Sequence, residues 1–406
     1  MNRRSFTRLA LSSAGSVLLA ARNASASIPR MRIKRIRCYR PPDHNPTVNQ
    51  SDQIVTVETD AGITGIGEGG TRDSVEQCAG MLIGEDPTRI EHLWQYLYRG
   101  YFYPPGREKL HALGAIDLAL WDIKGKALGV PVYELLGGLT RNYIECYSTG
   151  FPQKGTLGET ARACVEAGFR AFRMAVGDQT RSEVFEPHAC VRQTVELCRE
   201  VREAIGKDKD WAIDFHTRLD LPDAITLAAL IEPLSPYFVE DPLRSENLSI
   251  YKDLRGRVRV PIAVGEQLGS RWDINSLIEQ HLIDYTRVTL PNVGGITEFM
   301  KIATLCETHN VGMIPHFTGP IALAALVHAL GAFSGPVLME IDGATLPPKP
   351  YLPLSCDFRA GRLWPNTRPG LGVEFDAKGA QQIAEITERY APIPTFHRPD
   401  GSLTNW

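Results

Sequence analysis

The 406-residue chain carries 44 Lys and Arg against 47 Asp and Glu, a net charge of −3, with 43% hydrophobic and 22% charged residues. That balance excludes a disordered chain, and it excludes a strongly basic surface built for nucleic acid or an anionic membrane. The length suggests two or three domains.

The chain opens with Met1-Asn-Arg3-Arg4-Ser-Phe6-Thr, an apolar run from Leu9 to Ala21, and Ala24-Ser-Ala26. A basic start, an apolar stretch too short for a stable membrane anchor and a small-residue cleavage site are the parts of an export signal. Adjacent Arg3 and Arg4 with Phe6 resemble the twin-arginine type. Residues 1–26 are therefore expected to be a signal peptide cleaved after Ala26, leaving a periplasmic protein with no membrane attachment. The eight cysteines show no C-x-x-C pair and mostly lie in apolar segments, so they are expected to be buried thiols with few or no disulfides.

Ile33 to Tyr39 and Gln53 to Glu58 alternate like strands, and Thr59-Asp-Ala-Gly62 turns the chain into a third, Ile63 to Gly67. An antiparallel meander follows from that pattern. Gly65-Ile-Gly67-Glu-Gly-Gly70 matches G-x-G-x-x-G, but a dinucleotide site needs it after the first strand of a βαβ unit. Here it falls in the return strand of a hairpin, so nucleotide binding is not expected. Helical periodicity dominates from Ser74 to Leu136, and residues 28–142 are expected to form an α+β domain.

From Tyr143 the pattern becomes strand, helix, strand, helix. Candidate strands are Ile144 to Ser148, Arg170 to Val176, Trp211 to Phe215, Tyr237 to Glu240, Pro261 to Gly265, Tyr285 to Leu290, Val311 to Pro315 and Val337 to Ile341. Helical stretches such as Pro187 to Ile205, Leu221 to Ile231, Ser270 to Gln280, Thr297 to Thr308 and Ile321 to Phe333 separate them. Eight strands with right-handed crossovers predict an α/β barrel over residues 143–345. No return helix follows the eighth strand, where the chain turns Pro-rich, and residues 346–406 are expected to run back over the first domain.

Three strand ends carry acids, Asp214, Glu240 and Glu266, each 26 residues from the next. A barrel unit takes about 30 residues and presents its strand ends at one face, so equal spacing predicts three converging carboxylates. Such a set repels itself and calls for a hard cation such as Mg2+. His216 lies two residues beyond Asp214, His316 ends the seventh strand, and Glu340 ends the eighth. Beside a metal, two imidazoles can serve as base and acid.

With these residues in place, the chain resembles the enolase superfamily, specifically its mandelate racemase-like acid-sugar dehydratases, galactonate dehydratases above all. The similarity runs through nearly everything after residue 28. It is carried by Ala115 to Gly129, Ile213-Asp-Phe-His216, Val239-Glu240, Gly265-Glu266-Gln-Leu-Gly-Ser-Arg-Trp-Asp273, Gly294-Gly-Ile-Thr-Glu298, and Pro315-His316 with Gly319-Pro-Ile-Ala-Leu323. The resemblance implies a modified (β/α)7β TIM barrel under an α+β capping domain, Mg2+ on Asp214, Glu240 and Glu266, and a homo-oligomer. It also implies dehydration of a sugar acid, aldonate or uronate-derived, to a 2-keto-3-deoxy acid through an enediolate. By position His316 is the base, His216 the acid, and Glu340 the carboxylate that bonds the substrate carboxylate.

Two departures matter. Arg173 and Ala175 stand where lysine-base members carry K-x-K, which disfavours a base on the second strand. Thr289 stands where the family usually has an aspartate that orients the strand-seven histidine; mannonate dehydratases have a similar Thr there, and it cannot stabilise an imidazolium by charge. A racemase, epimerase or cycloisomerase on this scaffold, and an exported sugar-acid binding protein without catalysis, are the alternatives. Substrate choice is expected from the loops at Pro41 to Ser51 and Thr71 to Ser74.

Overall fold

Alternating apolar residues pair three strands into the expected meander: β1 (Ile33–Arg40), β2 (Ile54–Thr59) and β3 (Thr64–Glu68). The computed structural model describes residues 28–45, 52–100, 102–177, 184–390 and 395–404. The expected export signal and positions 46–51 of the first loop lie outside the described residues. Gly62, at φ 79°, makes the tight turn between β2 and β3, where Thr59 N donates to Ile63 O at 3.0 Å.

The G-x-G-x-x-G glycines serve packing. A Cβ on Gly65 would lie 2.0 Å from Ala119 O, and one on Gly67 would lie 1.8 Å from Ala115 O. β3 therefore rests directly on the helix Arg107–Leu128, closer than any side chain would permit. The helical region divides at Gly84 and again at Pro104-Pro105-Gly106, giving Arg72–Leu82, Ile90–Arg99, Arg107–Leu128 and a short Val132–Leu135. Proline and glycine supply those breaks.

Eight parallel strands follow: β4 (Ile144–Thr149), β5 (Ala171–Ala175), β6 (Asp210–Asp214), β7 (Val239–Glu240), β8 (Ile262–Val264), β9 (Tyr285–Thr286), β10 (Gly312–Met313) and β11 (Met339–Asp342). β4 to β10 pair in chain order, β11 pairs with β4, and a Met313–Val337 bridge joins the seventh strand to the run into β11. The circle is thereby closed. Helices Pro187–Ile205 and Leu221–Ile231 lie where the periodicity predicts them. Several strands are shorter than predicted, yet ladder bonds run past their ends. Arg287 N donates to Val264 O at 2.8 Å and His316 N to Arg287 O at 3.3 Å.

No α-helix follows β11 among the described residues, only a 3-10 turn at Ala377–Gly379. Instead β12 (Asp357–Arg359) and β13 (Arg362–Trp364) form a hairpin on the outer edge of β4, and β14 (Gln381–Ile386) pairs antiparallel with β1. The C-terminal segment thus completes the capping sheet, in the order β14-β1-β2-β3. The fold is the modified (β/α)7β barrel with an α+β cap.

Inside the barrel, Tyr147, Ala171, Ala212, Phe238, Ala263, Ile314 and Leu338 form one apolar layer. Side chains two residues further along a strand share its face. That step leads to Thr149, Arg173, Asp214, Glu240, His316 and Glu340, so the layer at the strand ends is ionic.

Buried carboxylates of the cap lock it onto the barrel. Glu68 accepts from Ile321 N at 2.9 Å and Ala322 N at 3.0 Å, at the start of the helix Pro320–Ala332. Asp117 accepts from Thr297 N at 3.0 Å and from Thr297 Oγ1, at the start of the helix Ile296–Thr308. Each acid answers a helix N-terminus that would otherwise keep orphan amides. Trp94 Nε1 adds a bond to Gly294 O at 2.8 Å and Trp121 Nε1 one to Thr297 Oγ1 at 2.9 Å.

Burial pushes both acids up to about 7, against the pull of those donors. A carboxyl whose folded pKa exceeds its unfolded value binds its proton more tightly in the native state, so stability falls as pH rises from about 4 through 7. We expect Tm to fall between pH 5 and pH 8. The unfolding free energy of the double variant Glu68→Gln, Asp117→Asn should fall less over that range, by on the order of 2–3 kcal/mol for each removed charge. An unchanged slope in thermal melts would show that the two acids stay ionised throughout.

Candidate active site

Asp214 and Glu240 end β6 and β7 fully buried, and Glu266 follows β8 across Gly265 at the barrel mouth. Gly265 has φ 149°, and a Cβ there would lie 2.8 Å from Val288 N, so only glycine permits the turn that aims Glu266 inward. Two arginines run between these acids. Arg173 on β5 bonds Asp214 through Nη2, which also reaches Glu240 Oε1 at 3.0 Å. Arg287, with no exposed surface, reaches Glu240 at 2.8 Å, Glu266 at 3.1 Å and Glu340 at 2.8 Å through one nitrogen, and bonds Tyr147 Oη through the other.

Asp241 is a further acid of the cluster. It has φ 35°, and one of its buried carboxylate oxygens has no hydrogen-bond partner. Oxygens of Glu240, Asp241 and Glu266 all lie within 4.8 Å of one another, a set of hard donors that could hold a divalent ion. Of the three expected ligands, the geometry groups Glu240 and Glu266 with Asp241 and ties Asp214 to Arg173 and to His216 N.

Charge in this layer is uneven. Burial, and then neighbouring carboxylates, hold Asp214 and Asp241 well above the usual carboxylate range. Burial also acts to raise Glu340 and Glu266, but it is outweighed by Arg287 and His316, which hold both below that range. Five carboxylates thus share two buried arginines, an imbalance that a bound cation would relieve.

His216 (φ 47°) and Thr217 (φ 55°) both adopt left-handed backbone just beyond β6. Thr217 N donates to Asp241 O at 2.9 Å and His216 N to the Asp214 carboxylate, so the ends of β6 and β7 hold this strained backbone in place. His316 has its Nε2 3.5 Å from Glu266 Oε2. Its Nδ1 has no hydrogen-bond partner, and neither has the buried Thr289 Oγ1, so threonine does not orient the ring. Glu340 accepts from Thr149 Oγ1 and from Phe317 N at 3.1 Å, holding the loop that carries His316.

A cavity of about 550 Å³ opens here, lined among others by Arg107, Thr149, Arg173, Asp214, His216, Arg218, Glu266 and His316. Both histidines therefore face one chamber with two of the acids, whereas Glu340 is not among its walls. Sequence reasoning did not single out Asp241, Arg287, Arg107 and Arg218. Strand alternation from Tyr285 was the signal that could have placed Arg287 inward.

Two family models match the chain: "Enolase C-terminal domain-like" over residues 156–379 and "Mandelate racemase / muconate lactonizing enzyme, N-terminal domain" over residues 40–137. The chain is 37% identical to a D-galactonate dehydratase of Xanthomonas euvesicatoria pv. vesicatoria over 371 residues, covering 87% of this chain and 96% of that protein. An Agrobacterium radiobacter enolase described as a putative galactarate dehydratase, bound to Na and L-malate, superposes with a TM-score of 0.77 at 30% identity, covering 92% and 99% of the two chains. A Pantoea ananatis enolase with bound D-gluconate and Mg has a TM-score of 0.77 at 28% identity, covering 86% and 94%.

Replacing the buried Arg287 guanidinium tests this charge balance. Arg287→Met should destabilise the protein by about 3–5 kcal/mol, because it strands buried carboxylates without a partner. Denaturant unfolding measures this, and a loss below about 1 kcal/mol, the range of an exposed pair, would contradict the role.

Proposed function

The chain belongs to the enolase superfamily, in its mandelate racemase and muconate lactonizing enzyme branch, and from that premise we propose that it dehydrates a sugar acid, aldonate or uronate-derived, to a 2-keto-3-deoxy acid. Its relatives' names carry the same enzyme class, a carbon-oxygen hydro-lyase. The observation that carries the reading is the single cavity in which His216 and His316 face Asp214 and Glu266 from different strands.

Glu240 and Glu266 would hold Mg2+, with Asp214 and Asp241 as the carboxylates able to complete the set; the free buried oxygen of Asp241 fits a cation. When bound, the ion supplies positive charge against the substrate carboxylate. His316 then takes the proton α to that carboxylate, with Glu266 3.5 Å from its Nε2. His216 gives a proton to the β-hydroxyl, the carbon–oxygen bond breaks, water leaves, and the resulting enol relaxes to the ketone. Arg173, engaged with Asp214 and Glu240, takes no part as a base, and Ala175 has no proton to exchange. Glu340 acts by holding the His316 loop through Phe317 N.

Two histidines in one chamber also suit a two-base racemase or epimerase, which would exchange the α-proton with solvent without losing water. The reading includes export, through the signal expected at residues 1–26, and a homo-oligomer. Purified protein with Mg2+ in D2O, given a panel of sugar acids and followed by NMR, should release a 2-keto-3-deoxy acid. His216→Asn should lower that rate at least about 100-fold, the low end for a general acid. Solvent exchange at the α-carbon with no keto acid would favour epimerisation, and full dehydration by the variant would remove His216 from the acid role.

A further inference from the structure

Three guanidinium groups and two carboxylates line the cavity. Arg173 is taken up by Asp214 and Glu240. Arg107 and Arg218 are not: neither makes an ion pair with a carboxylate within 4.0 Å among the described residues. Arg107 has only a long bond from Nη1 to Gln267 O, at 3.4 Å.

These two residues reach the chamber from different parts of the molecule. Arg218 follows His216 and Thr217 on the loop after β6. Arg107 opens the cap helix Arg107–Leu128 and meets the barrel at Gly269, where a Cβ would lie 3.1 Å from Arg107 Cα. That close approach fixes the backbone of Arg107 at the barrel mouth. Both are planar fork donors suited to a carboxylate, and in a site that already places one carboxylate at the metal-binding acids they leave positive charge unanswered.

We infer that Arg107 and Arg218 bind a second carboxylate at the far end of the substrate, which makes the preferred substrate a sugar diacid, an aldarate, rather than an aldonate. The inference rests on the sugar-acid reading above and narrows it. An aldonate ends in a hydroxymethyl group, which offers these two guanidiniums no anion to bind. A site built for a charged group rejects the analogue that lacks it.

The test uses the full-length protein with Mg2+ and a stereochemically matched pair, galactarate and galactonate. The expected result is a kcat/KM at least about 100-fold higher for the diacid. Arg107→Gln and Arg218→Gln should each shrink that preference at least about tenfold, mostly through KM. Preference for galactonate, or a preference that neither variant moves, overturns the inference while leaving dehydration intact. If neither compound yields a keto acid, the functional reading fails instead, and calorimetry then decides this point. Tighter binding of galactarate that weakens in Arg107→Gln supports the diacid site, and equal affinity for the two acids overturns it.

Discussion

Asp214, Glu240, Asp241, Glu266 and Glu340 crowd one end of a barrel with little access to water, and such charge persists only with positive charge beside it. Arg173 and Arg287 supply part of that charge from within the chain. They are outnumbered: Arg287 with His316 holds Glu340 and Glu266 below the usual carboxylate range, whereas burial and neighbouring acids hold Asp214 and Asp241 above it, a surplus of acids over cations. The chemistry follows from that surplus. A divalent ion is the natural complement to it, and a substrate carboxylate is the natural complement to the ion.

The same economy of charge joins the two parts of the fold. Glu68 and Asp117 leave the cap to meet the starts of two barrel helices, and one of those helices follows the loop that carries His316. Asp122 accepts from Ile66 N at 3.1 Å and Leu371 N at 2.8 Å, tying β3, its supporting helix and the returning C-terminal segment together. The cap is thus held as a fixed wall over the barrel mouth. A side chain such as Arg107 can act on substrate only because that wall is fixed.

The barrel was legible in the sequence because its elements are strongly periodic. Helices at Pro187–Ile205 and Leu221–Ile231 show it, as does the Pro-rich run where an eighth return helix is missing. Strand-end acids were legible because spacing alone brings Asp214, Glu240 and Glu266 to one face. Asp241 was not, since alternation points it outward from Glu240 and only a left-handed turn at φ 35° brings it back. Arg287 lies in an otherwise apolar strand, and only carboxylates from other strands account for it. Arg107 belongs to another domain, and no local pattern predicts the docking that places it at the cavity. Thr289 was visible as a departure, but sequence could not show that it leaves the His316 ring unbonded.

The central claim is that the acid cluster is a cation site, and Mg2+ titration calorimetry tests it most directly. The wild-type chain should bind one ion, and Glu240→Gln, which removes a ligand charge from the buried centre of the cluster, should abolish the binding heat. Absence of binding by the wild type, or unchanged affinity in the variant, would contradict the account.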